Sequence, residues 1–294
     1  MDKILILREK KDDYFLKYLN IDYIDNIYNN KYNKYTQNTF VYRFIKKLKL
    51  KCISYYLGEW KKNIKNYDKI IIFDNGYIEA ISKYIKSKNK KCKIILYLWN
   101  NMTHFNPDII KDKYVDEIWT FNYKDSIKYA LKYNPQFYSK NVNISSNIEE
   151  NRVVFVGRDK GRSNSINKIK DELEKNNIQT DFYIINNEEQ FISYDEYLKK
   201  VSLSNCLLDI VSDAENSGLS LRVLESIFFN KKLITNNLNV KKYDFFNEDN
   251  IYIINNEYID MKKIKEFLEK PCRIIDKKVI NKYEFNNWIR RFEL

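Results

Sequence analysis

The feature of this sequence that most constrains its fold is the alternation of short apolar runs with longer segments of helical periodicity. Continuous apolar runs of this length are typical of strands buried on both faces of a parallel sheet. In the first half of the chain these runs lie at 3–7, 52–57, 69–73, 93–99 and 116–121, with helical spacing at 77–88 and 123–133. The alternation predicts a doubly wound α/β domain.

A second series of the same kind follows a polar stretch at 139–151 that has no periodic pattern. The predicted strands are 152–157, 180–185, 206–211, 231–236 and 251–255, and the predicted helices are 163–177, 193–204, 217–230 and 261–270. Ser163 is the expected cap of the first of these helices, and Ser193 with Glu196 forms a capping box at the second. We therefore predict domains at 1–145 and 146–275, followed by a C-terminal segment at 276–294.

The net charge of +12 favours anionic partners: nucleic acid, anionic membrane surfaces or phosphorylated small molecules. The lysines are scattered and form no long block, which suits a membrane surface or general solubility better than a nucleic-acid arm. No RRM, KH or helix-turn-helix pattern is visible, so we predict no nucleic-acid partner. A non-catalytic nucleic-acid-binding protein remains the alternative from another class.

The four cysteines and the single histidine do not have the spacing of metal ligands, so we predict no metal site. Free thiols suit a reducing cytoplasm. The first apolar run is too short for a signal peptide, and no run is long enough to span a membrane. We therefore expect a cytoplasmic protein, with the inner face of the membrane as a further contact.

Two basic amphipathic stretches are candidates for that contact. The stretch at 40–51 is the better candidate, because it could dock on anionic lipid. The C-terminal stretch at 282–294 carries Trp288 and Phe292 beside two arginines. For this second stretch we favour core packing across the domain interface, and a membrane-surface role is the alternative.

A basic turn follows the strand predicted at 152–157. The sequence "VFVGRDKGR" ends the strand at Gly157 and places Arg158, Lys160 and Arg162 before the next helix. Cations together with the free N–H groups of a helix N-terminus can form a phosphate site. The turn has neither the Walker A nor the dinucleotide-binding glycine pattern. A basic surface turn is the alternative.

A polar helix start follows the strand predicted at 206–211. The second candidate site consists of Ser217, Gly218, Ser220, Arg222 and Glu225. A helix N-terminus favours an anion, and Arg222 can hold a phosphate with two donors. Glu225 shares its face and can accept hydrogen bonds from a ribose. An exposed ion pair is the alternative, although the helix is apolar almost all round.

Polar residues also follow three strands in the first half of the chain. They lie in "FDNGY", "LWNNMTH" and "FNYKD", at 73–77, 98–104 and 121–125. The carboxyl ends of parallel strands share one edge, so we expect these residues to face a cleft between the two domains. Asp74 and His104 are the candidates for a general base. Glu79, Asp125 or the absence of a side-chain base remain open.

Over 152–255 the sequence resembles the C-terminal domain of bacterial glycosyltransferases of the GT-B fold, in particular those of lipopolysaccharide or capsular polysaccharide synthesis. The resemblance rests on "FVGRDKGR" and on "NCLLDIV…SGLSLRVLESIFFNKKLITNN…YDFF…NIYII", and it is weak before 115. It implies two Rossmann-like domains facing a cleft, with a C-terminal helix at 276–294 that packs back toward the first domain. The acceptor side is then 1–145, and the sugar-nucleotide domain is 146–275.

The resemblance implies an enzyme that transfers a sugar, expected to be a hexose, from a nucleotide sugar to a glycan or lipid-linked acceptor. A UDP-sugar is the default donor. Arg158 and Lys160 would hold the diphosphate, Gly218 and Ser220 would lie against it, and Glu225 would bind the ribose. Arg222 matches a recurring arginine of the family.

Arg158, Lys160 and the helix N-terminus would stabilise the leaving diphosphate in place of a metal, and no DxD motif lies in a suitable loop, so we expect catalysis without a metal or another cofactor. Retaining members of the family often carry a second glutamate where Ser217 stands here. The stereochemical outcome therefore does not carry over, and an inactive GT-B-like partner subunit remains an alternative.

Overall fold

The computed structural model describes residues 2–9, 15–19, 21–24, 27–29, 53–74, 77–144, 152–213, 218–255 and 258–292. The chain divides into two compact units. The first unit comprises Met1–Lys11 and Asn20–Asn134, and the second comprises Asp12–Leu19 and Pro135–Leu294. This division lies a little before the boundary predicted at 145.

The first unit is built on a six-stranded parallel sheet. Its strands are β1 (Ile4–Leu7), β2 (Asp22–Ile24), β3 (Lys69–Phe73), β4 (Lys93–Leu98), β5 (Glu117–Thr120) and β6 (Lys132–Tyr133), in the spatial order β2-β1-β3-β4-β5-β6. Its helices are α1 (Ile53–Tyr56), α2 (Ile78–Lys88) and α3 (Tyr123–Lys128), with 3₁₀ helices at Glu59–Asn66, Met102–His104 and Pro107–Lys111. The central strands are buried on both faces, as their continuous apolar runs predict.

The strand predicted at 52–57 is wrong. Residues Ile53–Tyr56 form helix α1, and Leu57 makes only an isolated antiparallel bridge with Tyr28. Tyr55 is half exposed, so the run is not buried on both sides as a central strand would be. The place beside β1 is taken by β2, whose three residues carry no long apolar run.

The second unit is built on a five-stranded parallel sheet. Its strands are β7 (Arg152–Arg158), β8 (Gln179–Ile185), β9 (Cys206–Asp209), β10 (Lys232–Thr235) and β11 (Ile251–Ile253), in the spatial order β11-β10-β9-β7-β8. Its helices are α4 (Ser163–Lys175), α5 (Tyr194–Leu203), α6 (Leu221–Phe228), α7 (Met261–Glu269), α8 (Lys277–Asn281) and α9 (Phe285–Arg290), with 3₁₀ helices at Phe15–Tyr18, Glu188–Gln190 and Leu238–Lys242. The predicted capping box of Ser193 and Glu196 is confirmed at α5.

Three helices end at a left-handed residue that is not glycine. These residues are Ala130, Asn177 and Asn230, with φ of 52°, 61° and 51°. In each case the next residue donates its N–H to a carbonyl in the last helical turn, which is the hydrogen bond of a Schellman motif. The motif at Ala130 ends α3 at Lys128, so the helix predicted to reach 133 is shorter and makes way for β6.

The C-terminal segment is part of the core of the second unit. Trp288 and Phe292 are fully buried, and the Trp288 ring centre lies 4.0 Å from that of Phe137. Tyr138 pairs with this segment through backbone hydrogen bonds with Tyr283 (2.8 Å) and Phe285 (2.9 Å). Of the two roles considered for these aromatic residues, core packing is the one observed, and it lies within the second unit. The other membrane candidate, 40–51, lies outside the described residues.

Within the described residues, no helix is long and apolar enough to cross a membrane.

Candidate functional site

The strand order of the second unit creates a crevice at the carboxyl edge of its sheet. β7 is the first strand of this sheet in the sequence, and it lies between β8 and β9. The chain therefore leaves β7 toward one side and leaves β9 toward the other. Ligands of open α/β sheets bind at such a switch point, because the loops diverge there. The turn after β7 and the segment from β9 to α6 flank the candidate site.

A carboxylate of the chain itself stabilises the turn after β7. Asp159 Oδ1 accepts the backbone N–H groups of Ser163 (2.6 Å) and Arg162 (2.8 Å), and these bonds lower the pKa of Asp159. The prediction that Ser163 caps α4 is wrong, because Ser163 is the first helical residue and Asp159 supplies the capping oxygen. These two N–H groups are therefore not free for a phosphate.

Arg162 joins the two loops that flank the crevice. Its guanidinium donates to the carbonyl oxygens of Arg158 (2.6 Å), Asp159 (3.0 Å) and Ile210. Ile210 follows β9, so this side chain links the turn after β7 to the segment after β9. Arg162 contributes charge to the crevice, but its hydrogen bonds are used to stabilise the loops.

Arg222 is held within the second unit. Its Nη2 donates to the Val156 carbonyl (2.5 Å), its Nη1 lies 3.4 Å from Asp209 Oδ1, and its guanidinium carbon lies 4.7 Å from the centre of the Phe155 ring. Gly157 makes this approach possible, because a Cβ there would overlap Nη2. Arg222 therefore connects α6 to β7 and β9. Its predicted contact with a phosphate stays a prediction.

Asp209 is a residue that the sequence analysis missed. It is the last residue of β9 and is fully buried. In addition to Arg222, it accepts hydrogen bonds from Ser220 Oγ (2.9 Å) and Thr235 Oγ1 (3.1 Å). The signal that could have found it is a lone carboxylate within an apolar strand, since a charge is buried only with partners.

The start of α6 lies beside this carboxylate. Ser220 is the N-cap, and its Oγ accepts the N–H of Val223 (3.3 Å) while it donates to Asp209. Gly218 is buried, and its carbonyl accepts a hydrogen bond from Asn237 Nδ2 (3.0 Å). The structure thus brings Gly218, Ser220 and Arg222 to the crevice edge. Ser217 lies outside the described residues.

Arg158 and Lys160 are the exposed cations of the crevice. Neither side chain has a hydrogen bond or ion pair with any residue that the structure describes. Desolvation lowers the pKa of Lys160, and so do the nearby cations Arg162, Arg222 and Arg158. Exposed cations that lie close to further positive charges favour an anionic ligand.

Glu225 lies on α6 but is buried. Its carboxylate accepts hydrogen bonds from Tyr194 Oη (3.1 Å) and from Tyr197 Oη. Burial raises its pKa to about 7, against the opposing effects of Tyr197, Arg222 and Tyr194. The exposed ion pair considered for Arg222 and Glu225 is therefore wrong. Two tyrosines donate to the carboxylate of Glu225. Its contact with a ribose stays a prediction.

The predicted general bases lie on the first unit. Asp74 follows β3, and its carboxylate accepts the N–H of Trp99 (2.9 Å) and Nδ2 of Asn100 (2.6 Å). Burial raises the pKa of Asp74, although these hydrogen bonds oppose the shift. His104 is exposed at the end of a 3₁₀ helix. Among the described residues no hydrogen bond joins these two side chains.

We expect Gly157→Ala to lower the free energy of unfolding by about 1–3 kcal/mol, because the methyl group displaces the Arg222 guanidinium. Urea unfolding measures this cost. The Arg222→Ala substitution removes the overlap. The double variant should therefore lose less stability than the two single variants together. Equal costs of Gly157→Ala with and without Arg222 would contradict the overlap.

We expect Glu225→Gln to change how stability depends on pH. The folded protein holds a proton at Glu225 up to about pH 7, whereas the unfolded chain releases it near 4.5. This stabilisation is present below pH 4.5 and is lost as the pH rises to 7. The glutamine variant should therefore be more stable than wild type at pH 8, by on the order of 2–3 kcal/mol, with a smaller difference at pH 5.

Urea unfolding at several pH values tests the Glu225 prediction, with the exposed Glu269→Gln as the control. A difference from wild type that stays constant between pH 5 and 8 would exclude titration of Glu225 in this range.

No family model and no curated protein matches the sequence. Among solved structures, the chain is similar to Anabaena HepE in complex with UDP, with a TM-score of 0.56 and 8% identity over 99% of this chain and 98% of that one. It is similar to the same protein in complex with UDP-glucose, with a TM-score of 0.55 and 5% identity over 100% and 98% of the two chains.

A third similar structure is the apo form of the lipopolysaccharide outer core galactosyltransferase WaaB. Its TM-score is 0.48, with 13% identity over 99% of this chain and 98% of that one. At sequence identities this low, similarity to a solved structure is evidence about the fold alone. The predicted fold class, α/β with two doubly wound domains as in GT-B proteins, is confirmed.

Proposed function

We propose that this chain is a glycosyltransferase that takes a sugar from a nucleotide-sugar donor. The observation that carries the proposal is the pair of exposed cations, Arg158 and Lys160, at the switch point of the second sheet. A diphosphate matches two such cations, because charge-assisted hydrogen bonds from Arg and Lys to phosphate are strong. HepE, which shares the fold, has been solved with UDP and with UDP-glucose. We therefore propose a UDP-sugar, and specifically a UDP-hexose, as the donor.

Arg158 and Lys160 act on the leaving group in this proposal. As the acceptor oxygen bonds to the anomeric carbon, the bond from that carbon to the diphosphate breaks, and the diphosphate leaves with the electron pair. Cations placed where this charge develops lower the barrier. We propose that they do so in place of a metal ion. Arg162 and Arg222 hold the surrounding loops and add to the positive field.

The remaining donor contacts are proposed at the start of α6. Ser217, Gly218 and Ser220 lie against the diphosphate, and Arg222 adds a further cation beside it. Glu225 binds the ribose, which requires a ribose hydroxyl to take the place of the Tyr197 phenol on its carboxylate.

The acceptor is proposed to be a glycan or a lipid-linked sugar of surface polysaccharide or lipopolysaccharide synthesis. An acceptor hydroxyl must lose a proton to the base. We propose Asp74 for this role, with His104 as the second candidate, because a raised pKa suits a carboxylate that takes up a proton. The stretch 40–51 is the proposed contact with an anionic membrane surface.

We expect UDP to raise the melting temperature of the wild-type protein without Mg²⁺, because a ligand of the folded state stabilises it by mass action. Arg158→Ala and Lys160→Ala should each weaken UDP binding by about 1.5–3 kcal/mol, the value for a hydrogen bond to a charged group. Lys175→Ala is the matched control, since this exposed lysine lies at the other end of α4.

A thermal-shift screen of UDP, GDP, dTDP, CDP, CMP and ADP, followed by calorimetry, makes this measurement. If another nucleotide stabilises the protein and UDP does not, that nucleotide defines the donor class in place of UDP. No stabilisation by any of them would reject the proposed function, and binding without sugar transfer would indicate an inactive partner subunit.

We expect Asp74→Asn to slow the release of UDP from the bound UDP-sugar by about 10²–10⁴-fold, the usual contribution of a general base. Water serves as the acceptor in this assay, and UDP binding should be unchanged. His104→Ala is the comparison. A rate loss in His104→Ala alone would move the base to His104, and wild-type rates in both variants would exclude both.

A further inference from the structure

The guanidinium of the exposed cation Arg158 lies against an aromatic ring. Its guanidinium carbon lies 4.6 Å from the centre of the Phe191 ring. No hydrogen bond or ion pair to the described residues holds the guanidinium, although the Arg158 backbone carbonyl accepts a hydrogen bond from Arg162 (2.6 Å). Contact with the ring is therefore what restricts the direction of this side chain.

The register of the sheet brings Phe191 to the basic turn. β7 and β8 pair over their whole length, so that Arg158 lies opposite Ile185 at their carboxyl ends. The N–H of Asp159 donates to the Ile185 carbonyl (3.1 Å) and continues the pairing into the turn. The loop after β8, which carries Phe191, is therefore the immediate neighbour of the turn that carries Arg158.

The backbone on both sides of Phe191 is held in place. Before it, Gln190 accepts the N–H of Asn186 (2.8 Å) and donates its own N–H to Asn187 Oδ1 (3.2 Å). After it, the capping box of Ser193 begins α5. The ring thus stands on a loop whose two ends are fixed by hydrogen bonds.

Phe191 does not serve the hydrophobic core. It is 37% exposed and is not part of the core cluster of the second unit. Packing within this core cluster therefore does not account for the phenylalanine. A guanidinium over an aromatic face is attracted by the ring quadrupole, and the ring also limits its rotation.

We propose that Phe191 is a positioning residue that holds the Arg158 guanidinium in place for the diphosphate of the donor. This inference rests on the proposed function. It assigns Phe191 no contact with the ligand, because its effect on binding passes through Arg158.

The test is a double-mutant cycle of UDP binding, measured by calorimetry. Phe191→Leu should weaken binding about two- to fivefold, the range expected of an exposed cation–π contact. In the Arg158→Ala background the same substitution should have no further effect. Phe191→Tyr keeps the ring and should restore wild-type affinity. Tyr258→Leu, which removes an exposed aromatic residue elsewhere in the second unit, is the control.

A second measurement does not depend on the ligand. The ring current of Phe191 should shift the NMR signal of the Arg158 Nε–H group, which is assigned by its loss in Arg158→Ala. The signal should move to the position of a free arginine in Phe191→Leu and should stay shifted in Phe191→Tyr. An unshifted signal in the wild-type protein would mean that the ring contact is absent, and the proposal would be overturned.

The outcomes separate this inference from the proposed function. An equal loss of affinity from Phe191→Leu with and without Arg158 would show that the ring contacts the ligand directly. No loss in Phe191→Leu, with a loss in Arg158→Ala, would show that Arg158 needs no positioning. Both results overturn the inference while UDP binding stands. Failure of the wild-type protein to bind any nucleotide would reject the proposed function and this role together.

Discussion

The candidate site depends on the hydrogen bonds and the ion pair that the buried Asp209 carboxylate makes. Asp209 ends β9 and accepts hydrogen bonds from Ser220 at the start of α6 and from Thr235 at the end of β10, and it pairs with Arg222. Arg222 in turn reaches the backbone of β7 through the Val156 carbonyl. Three strands and one helix are thus joined through one charge. A buried carboxylate without such partners would be costly, so these elements keep their relative positions.

The four cations around this carboxylate have different tasks. Arg222 and Arg162 donate hydrogen bonds to carbonyl oxygens, and Arg222 also pairs with Asp209. These two arginines therefore fix the loops that flank the crevice. Arg158 and Lys160 stay exposed beside them. The positive charges of Arg222 and Arg162 act on Arg158 and Lys160. A positive field of this kind is relieved when an anion binds. In the proposed function, the exposed pair faces the diphosphate of the donor.

Much of the fold could be predicted from the sequence, because continuous apolar runs identify buried strands whatever their neighbours are. The run at 69–73 and the capping box at Ser193 are examples. The strand predicted at 52–57 is wrong, because Ile53–Tyr56 form a helix and the position beside β1 in the sheet is occupied by β2. The site was predicted by residue type rather than by contact. Glu225 was expected at a ligand, yet two tyrosines of α5, one helix away, occupy its carboxylate.

The sequence by itself determined the two series of parallel strands and the gathering of cations after β7, because periodicity and local charge are properties of neighbouring residues. Only the tertiary structure decided which groups are free. Asp159 takes the N–H groups at the start of α4, and Arg222 turns toward Val156 because Gly157 leaves room. The physical reason is that a hydrogen bond depends on positions in space. Residues far apart in the chain, such as Val156 and Arg222, become partners only when the sheet is assembled.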